Sequence, residues 1–441
     1  MNNTKIFCLT DDHGNLLPPA VQAAVLAKYS RSPLSAREIL KKVTEEKADT
    51  FHDKWTIEFG HKSVAELAVI PVCFEGVSII ASKFIESWQR PGYAEKSTRY
   101  QEFSRESFVM PPNAPLGLKT FSDQLYDAYQ TLYPKVLERC AKEMGKSPKK
   151  KEVKGRAFDN VRYLLPAGTG TNLAMVGNAR DIRDVIKALR SHHNDELRGY
   201  GDLVYEAMRP ITPTLMRYAD PTEFVSPIQS LGDFAYSQSR SGSWYVKIHK
   251  PYLMSDPKLE QKSFEADVAD MYGKSWTEFC NFMNTRPEHE EVPDIFKTIN
   301  ITFDIMMDYG AFRDLQRHRR CEQFIEPLST SFGYVVPADI EGTDLEPEYR
   351  RTMELIDSAP ELEPCDVDTL QYATPLGYLH RSRFKMDLKE LYYVIELRSK
   401  PQGHISYRKI VYEMHKLAVS RWPELMQWCR VHPPTAIGEH S

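Results

Sequence analysis

Four consecutive basic residues, Arg317, His318, Arg319 and Arg320, close a segment in which Ile305, Tyr309, Phe312 and Leu315 recur at helical spacing. Guanidinium forks match phosphate oxygens in pairs, so a phosphate clamp is one chemistry open to this run. A solvated, salt-bridged helix end is the other, because surface arginine is common. A second set, Glu95, Ser97, Arg99 and Tyr100, follows a Pro91-Gly92 turn and brings together a carboxylate, a hydroxyl, a guanidinium and a phenol. It reads as loop or strand: either an alternating polar strand, or a nucleotide site in which Ser97 and Arg99 hold the phosphate. Gly60, His61, Ser63 and Glu66 stand at helical spacing, where a histidine is ordinarily structural.

Other chemistries are weaker. His192 and His193 precede Asp195 and Glu196, but adjacent histidines point apart and no H-E-x-x-H spacing exists, so no metal is expected. Neither G-x-G-x-x-G nor G-x-x-x-x-G-K-[ST] occurs, which leaves Rossmann and P-loop modes of holding a nucleotide unsupported.

The elements that must position these residues come in two copies. Arg162 opens RYLLPAGTGTNLAMVGNARDIRDVIKALRSHH, and Gln371 opens QYATPLGYLHRSRFKMDLKELYYVIELRSKPQGH. Pro166 and Gly168 match Pro375 and Gly377 at a spacing of 209, and Leu189, Arg190 and Ser191 match Leu397, Arg398 and Ser399 at 208. Upstream, the segment containing Ser87, Trp88 and Gln89 corresponds to that containing Arg317, His318 and Arg319 at a spacing of about 230, so one connection has changed length. Ile182, Val185, Ile186 and Leu189 predict a helix before Arg190, and Leu391, Val394, Ile395 and Leu397 predict one that delivers Arg398. The serine-, glycine- and proline-bearing stretch 220–262 reads as the connection between halves, with the boundary near Gly242, giving repeats 1–242 and 243–441. The acidic, proline-bearing stretch from Ala338 to Asp366 reads as a surface insertion.

A chain of 441 residues exceeds one hydrophobic core, and 41% hydrophobic with 27% charged residues fits a globular protein. No run of apolar residues reaches membrane-spanning length, and the opening MNNTKIFCLTDDHGN lacks signal-peptide regions, so a cytoplasmic protein with reduced thiols is expected. A net charge of -4 gives no global field for a polyanion, which makes nucleic acid an unlikely partner and points to small phosphates met by local arginines.

Together these motifs resemble the flavin-dependent thymidylate synthases, whose signature joins an Arg-His-Arg triplet to a Ser-x-Arg-Tyr segment. The second half has Arg317, His318 and Arg319 without the Ser-x-Arg-Tyr arginine; the first has Ser97, Arg99 and Tyr100 without the triplet. His61, Ser63 and Glu66 are similar to the family's His-x-Ser-x-x-Glu. In the second half Asp387, Lys389 and Gln371 stand in the places of Asn178, Arg180 and Arg162, and Asp314 stands where glutamine is common.

The resemblance implies an α+β protein of two tandem lobes, each a mixed sheet with long helices, and a homodimer that mimics the family's homotetramer. It implies that dUMP is methylated to dTMP with FAD as cofactor and NADPH and methylenetetrahydrofolate as co-substrates. Ser63, Glu95, Asn178, Arg180, Arg317, His318 and Arg319 would then hold flavin. Ser97, Arg99, Tyr100, Arg162, Arg317 and Arg398 would hold the nucleotide, with Arg398 favouring the ionised pyrimidine. Another flavin-dependent pyrimidine modification, or a non-catalytic nucleotide- or RNA-binding protein on the same fold, are the alternatives.

Overall fold

The computed structural model describes residues 9–434, apart from 12, 14, 31, 44–61, 146–148, 214, 215, 217, 223–242, 250–255 and 364. In the first half, helices α1 (Pro19–Tyr29) and α2 (Ala36–Leu40) precede strand β1 (Val69–Ser78) and helix α3 (Ile79–Ile85). Strand β2 (Gly92–Glu95) leads to the long α4 (Leu116–Glu143) and α5 (Lys150–Val161), then to β3 (Gly170–Asn178), α6 (Ala179–Arg190) and α7 (Asp195–Met208). The second half runs β4 (Tyr245–Ile248), α8 (Pro257–Tyr272), α9 (Trp276–Asn284), β5 (Asn300–Asp308), α10 (Tyr309–Leu315), β6 (Glu322–Ile325), α11 (Glu346–Glu354), α12 (Val367–Ala373), β7 (Leu379–Asp387), α13 (Leu388–Arg398), α14 (Ile405–Arg421) and α15 (Pro423–Met426).

The repeat is visible in the order of the strands. One sheet is β1-β3-β2, the other β4-β5-β7-β6, so β5, β7 and β6 repeat the order of β1, β3 and β2. Register repeats too: Gly92 faces Val176 and Glu322 faces Lys385, at the offsets of 230 and 209 read from the sequence. The difference lies between β2 and β3, where α4 and α5 are longer than their counterparts α11 and α12.

Four times a strand turns into a helix through a side chain that accepts a backbone N–H of the first turn: Ser78 before α3, Asn178 before α6, Asp308 before α10 and Asp387 before α13. Such a cap satisfies one of the donors a helix start leaves open, and fixes where each helix begins. The helix predicted from Ile305 onward therefore starts only at Tyr309, because Asp308 caps it and Ile305 lies within β5. The helices predicted before Arg190 and Arg398 form as α6 and α13.

Two further expectations are corrected. The stretch 220–262 is not all connection: Tyr245–Ile248 pairs with β5, and α8 begins at Pro257. The acidic stretch after Ala338 is not a surface insertion, since Ile340, Tyr349 and Met353 are all fully buried. The boundary near Gly242 lies outside the described residues.

Contacts gather the described chain into two compact units that interleave along the sequence. The first draws on 1–77, 88–96 and 171–231; the second draws on 78–87, 97–170 and 232–441. In the first unit α6 and α7 bury Ile182, Val185, Ile186, Leu189 and Leu197. In the second unit the matched Pro-x-Gly segments of the two repeats pair with each other. Ala167 N–H donates to Thr374 O at 2.9 Å and Leu376 N–H to Leu165 O at 2.9 Å; Gly168 N–H donates to Tyr372 O at 2.9 Å and Gly377 N–H to Tyr163 O at 3.0 Å. Each bond has its counterpart at the repeat offset, the reciprocity expected of a two-fold contact. The glycines are needed because a Cβ at Gly168 would fall 2.5 Å from Phe108, and one at Gly377 3.0 Å from Met353 and Tyr163.

Candidate functional site

Within the second unit, residues from both repeats converge. Arg99 follows β2 in the chain, Arg162 opens the single turn Arg162–Leu164 at the end of α5, Arg317 and His318 follow α10, and Arg398 ends α13. Asp314 shows that they form one electrostatic cluster. Burial pushes its carboxyl group up, but Arg162, then Arg317, Arg99 and Arg398, outweigh that and hold it below the ordinary carboxylate range.

Arg99 closes a fork on Asp159, its Nε donating to Oδ1 at 2.6 Å and its Nη2 to Oδ2 at 2.7 Å. Burial opposes the Arg99 charge, yet Asp159 keeps its pKa raised. Asp159 in turn is held low against the cost of burial by His404, Arg99 and Arg162. Arg162 is only 3% exposed and its Nη1 lies 3.6 Å from Asp314, while its Nε and Nη2 are buried without a hydrogen-bond partner. Gly310 lies beside it, where a Cβ would stand 3.1 Å from Asp308 Oδ1 and from the Tyr163 ring and at an ordinary contact distance of 3.5 Å from Arg162 Nη2.

Arg398 Nε donates to His318 Nε2 at 2.8 Å. Arginine has no acceptor, so His318 Nε2 carries the lone pair and the ring proton sits on Nδ1, which lies 3.5 Å from Glu390 Oε1. Burial lowers the His318 pKa, in keeping with a neutral ring. The Arg398 guanidinium also lies 5.7 Å from the Tyr407 ring centroid. His404, capping α14, accepts the Ser406 backbone N–H at Nδ1 (3.2 Å) and so donates from Nε2 to the Asp159 carbonyl at 3.1 Å. Burial depresses its pKa. A cavity of about 930 Å³ in this unit has Arg99, Asp159, Tyr163, His404 and Lys151 in its wall, whereas Arg162, Arg317, His318 and Arg398 do not line it.

Of the other expected residues, Ser97 Oγ accepts the Arg99 backbone N–H at 3.2 Å. Tyr100 is 61% exposed beneath Lys151, whose Nζ lies 5.9 Å from its ring centroid. Arg317 is exposed and Arg319 half-buried. Glu95, Asn178 and Arg180 belong to the first unit. There Glu95 ends β2, Asn178 caps α6 through Asp181, and Arg180 pairs with Glu66. The Ser63 side chain lies outside the described residues. Gln371, which stands in place of an arginine, accepts the Leu328 backbone N–H at 3.1 Å.

Sequence reasoning passed over Asp159, Glu390 and His404. For Glu390 a signal was present: it shares the helix face of Leu391, Val394 and Ile395, where a buried carboxylate requires a partner. Asp159 and His404 carried no comparable signal, since both depend on chain segments far apart in sequence.

A UPF0159 protein of Chlamydia pneumoniae is 29% identical over 89% of this chain and 86% of its own length. A flavin-dependent thymidylate synthase of Clostridium tetani is 24% identical over 46% of this chain and 83% of its own. The crystal structure of a flavin-dependent thymidylate synthase from Helicobacter pylori, complexed with FAD and dUMP, covers 46% of this chain and 96% of its own at a TM-score of 0.35 and 15% identity, a likeness too slight to build upon. Among the described residues no helix is long and apolar enough to cross a membrane. The sequence profile of the thymidylate synthase complementing proteins matches residues 18–214 and again 257–424, and the chain therefore belongs to that family, with two of its repeats in tandem.

Proposed function

We propose that this protein binds dUMP in the arginine cluster of the second unit and methylates it reductively to dTMP. The observation that carries this reading is Arg162: a 97% buried guanidinium with Nε and Nη2 unpartnered is an anion donor waiting for an acceptor, since leaving such groups unmatched is costly. The name of the Clostridium tetani relative supports the flavin-dependent chemistry.

The donor set fits an anionic cofactor at one place. Arg317 and Arg319 suit the pyrophosphate of FAD, whereas His318 has both ring nitrogens engaged and serves the site from behind. Bound there, FAD supplies the hydride-carrying chemistry, with NADPH as reductant and methylenetetrahydrofolate as one-carbon donor. The protein's own part is to hold and polarise. Arg162 grips the phosphate. Arg99, whose fork rests on Asp159, gives the pocket its charge and releases that carboxylate if the phosphate takes its place. Arg398 offers paired donors to a pyrimidine carbonyl and the adjacent nitrogen, favouring the ionised ring. We further propose that the chain works as a cytoplasmic homodimer, its four repeats standing for the family's four subunits.

The test is calorimetric binding of dUMP to wild-type protein and to Arg162→Met, with the visible spectrum recorded alongside. Loss of charge-assisted hydrogen bonds should weaken dUMP by about ten- to a hundredfold. Unchanged affinity in the variant, or wild-type protein that takes up neither flavin nor dUMP, would overturn the reading.

A further inference from the structure

Glu390 is 3% exposed and His318 5% exposed, and the two stand in line behind Arg398. The charged groups facing the imidazole are Arg317 from its own turn, with Glu390 and Arg398 from α13; Arg320 faces the Glu390 carboxylate instead, its Nε 3.8 Å away. A buried carboxylate is tolerated only when hydrogen-bonded and paired. Here it orients a neutral ring, and the ring accepts from the one guanidinium nitrogen that is not at the tip.

We infer that Glu390 and His318 are positioning residues for Arg398, a relay in which the carboxylate fixes the imidazole and the imidazole fixes the guanidinium. With Nε held by His318, rotation about the end of the Arg398 side chain is stopped, and Nη1 and Nη2 are left to read the pyrimidine. The inference rests on the proposed nucleotide-binding role of Arg398. It also assigns His318 a task different from direct contact with flavin.

The first repeat provides an internal comparison. At the repeat offsets Trp88 stands in the place of His318, Arg90 in that of Arg320 and Asp181 in that of Glu390. The flanking pair persists, Arg90 Nη1 lying 3.2 Å from Asp181 Oδ1, but the imidazole link is gone. Arg190, near the place of Arg398, instead pairs with Asp202 at 2.8 Å. The relay thus belongs to the second repeat alone, the repeat that contributes Arg398 to the cluster.

The experiment uses full-length protein and 5-fluoro-dUMP, whose ring ionisation is read by ultraviolet difference spectra across pH. Binding to wild-type protein should lower the pH at which the ring loses its N3 proton. Glu390→Gln and His318→Asn should bind the nucleotide within about twofold at low pH yet lose roughly one pH unit of that shift, a tenfold effect on the ionised form. In parallel, ¹⁵N spectra of labelled histidine should show His318 neutral with its proton on Nδ1 from about pH 6 to 8. Variants that bind normally and keep the full shift, or a His318 ring protonated on Nε2, would overturn the relay and leave the proposed function standing. Failure of wild-type protein to bind 5-fluoro-dUMP would overturn the proposed function and this inference with it.

Discussion

Histidine burial gives this protein an acid sensitivity that can be assigned to single residues. His380, in β7, packs against Tyr309 and Phe312 with ring centroids at 5.4 and 4.6 Å, and burial pushes its pKa down to about 3. In the unfolded chain the same ring takes up a proton below about pH 6.5. Stability is therefore lost as pH falls from that value toward the folded one, because the unfolded state binds the proton first. At pH 5 the loss from His380 is about 2 kcal/mol, so His380→Phe should gain that much more over wild type at pH 5 than at pH 8 in urea denaturation. A variant whose advantage is the same at both pH values would refute the assignment. His318 and His404, also shifted downward by burial, act in the same direction. At this scale the sequence was a partial guide. The residue types Arg162, Arg317 and Arg398 announced anion chemistry, but whether a guanidinium is already engaged depends on partners distant in sequence, as Asp159 is for Arg99.

Elements were more legible than side-chain contacts, because helical spacing and caps are local. Asn178 and Asp387, at equivalent places in the two repeats, both start a helix by accepting a backbone N–H, so a change from amide to carboxylate between repeats leaves the element intact. The apolar spacing that marks α6 and α13 follows directly. It misled at Ile305, where three and four residue intervals continue by chance across a strand that ends in a cap, and at residues 338–366, where composition hid buried Tyr349 and Met353. Because α13 carries both Glu390 and Arg398, its start bears on the site. Asp387→Ala should cost about 1 kcal/mol of stability in urea denaturation, as loss of an N-cap does. A variant as stable as wild type would mean that the cap contributes nothing to α13.

For the whole molecule, the distribution of the cluster over both repeats makes a prediction about chains rather than residues. Arg99 and Arg162 come from the first repeat, Arg317 and Arg398 from the second, and all lie in one compact unit of one chain. Mixing Arg99→Ala chains with Arg398→Ala chains should accordingly restore no dUMP binding, whereas a site assembled between chains would recover part of it. Calorimetry on the refolded mixture distinguishes the two. The tandem organisation was readable from the paired Pro-x-Gly echoes, although their direct contact was not, since a sequence echo carries no statement that the copies touch. That reciprocal contact around Pro166 and Pro375 has a further consequence. Two separate subunits meeting there would come apart on dilution, and would have to lose translational freedom each time they met to bring mutually repelling arginines together. Joined by one covalent chain, the two faces remain at a fixed effective concentration however few molecules are present, so occupancy of the pocket should depend on nucleotide concentration and not on the amount of protein.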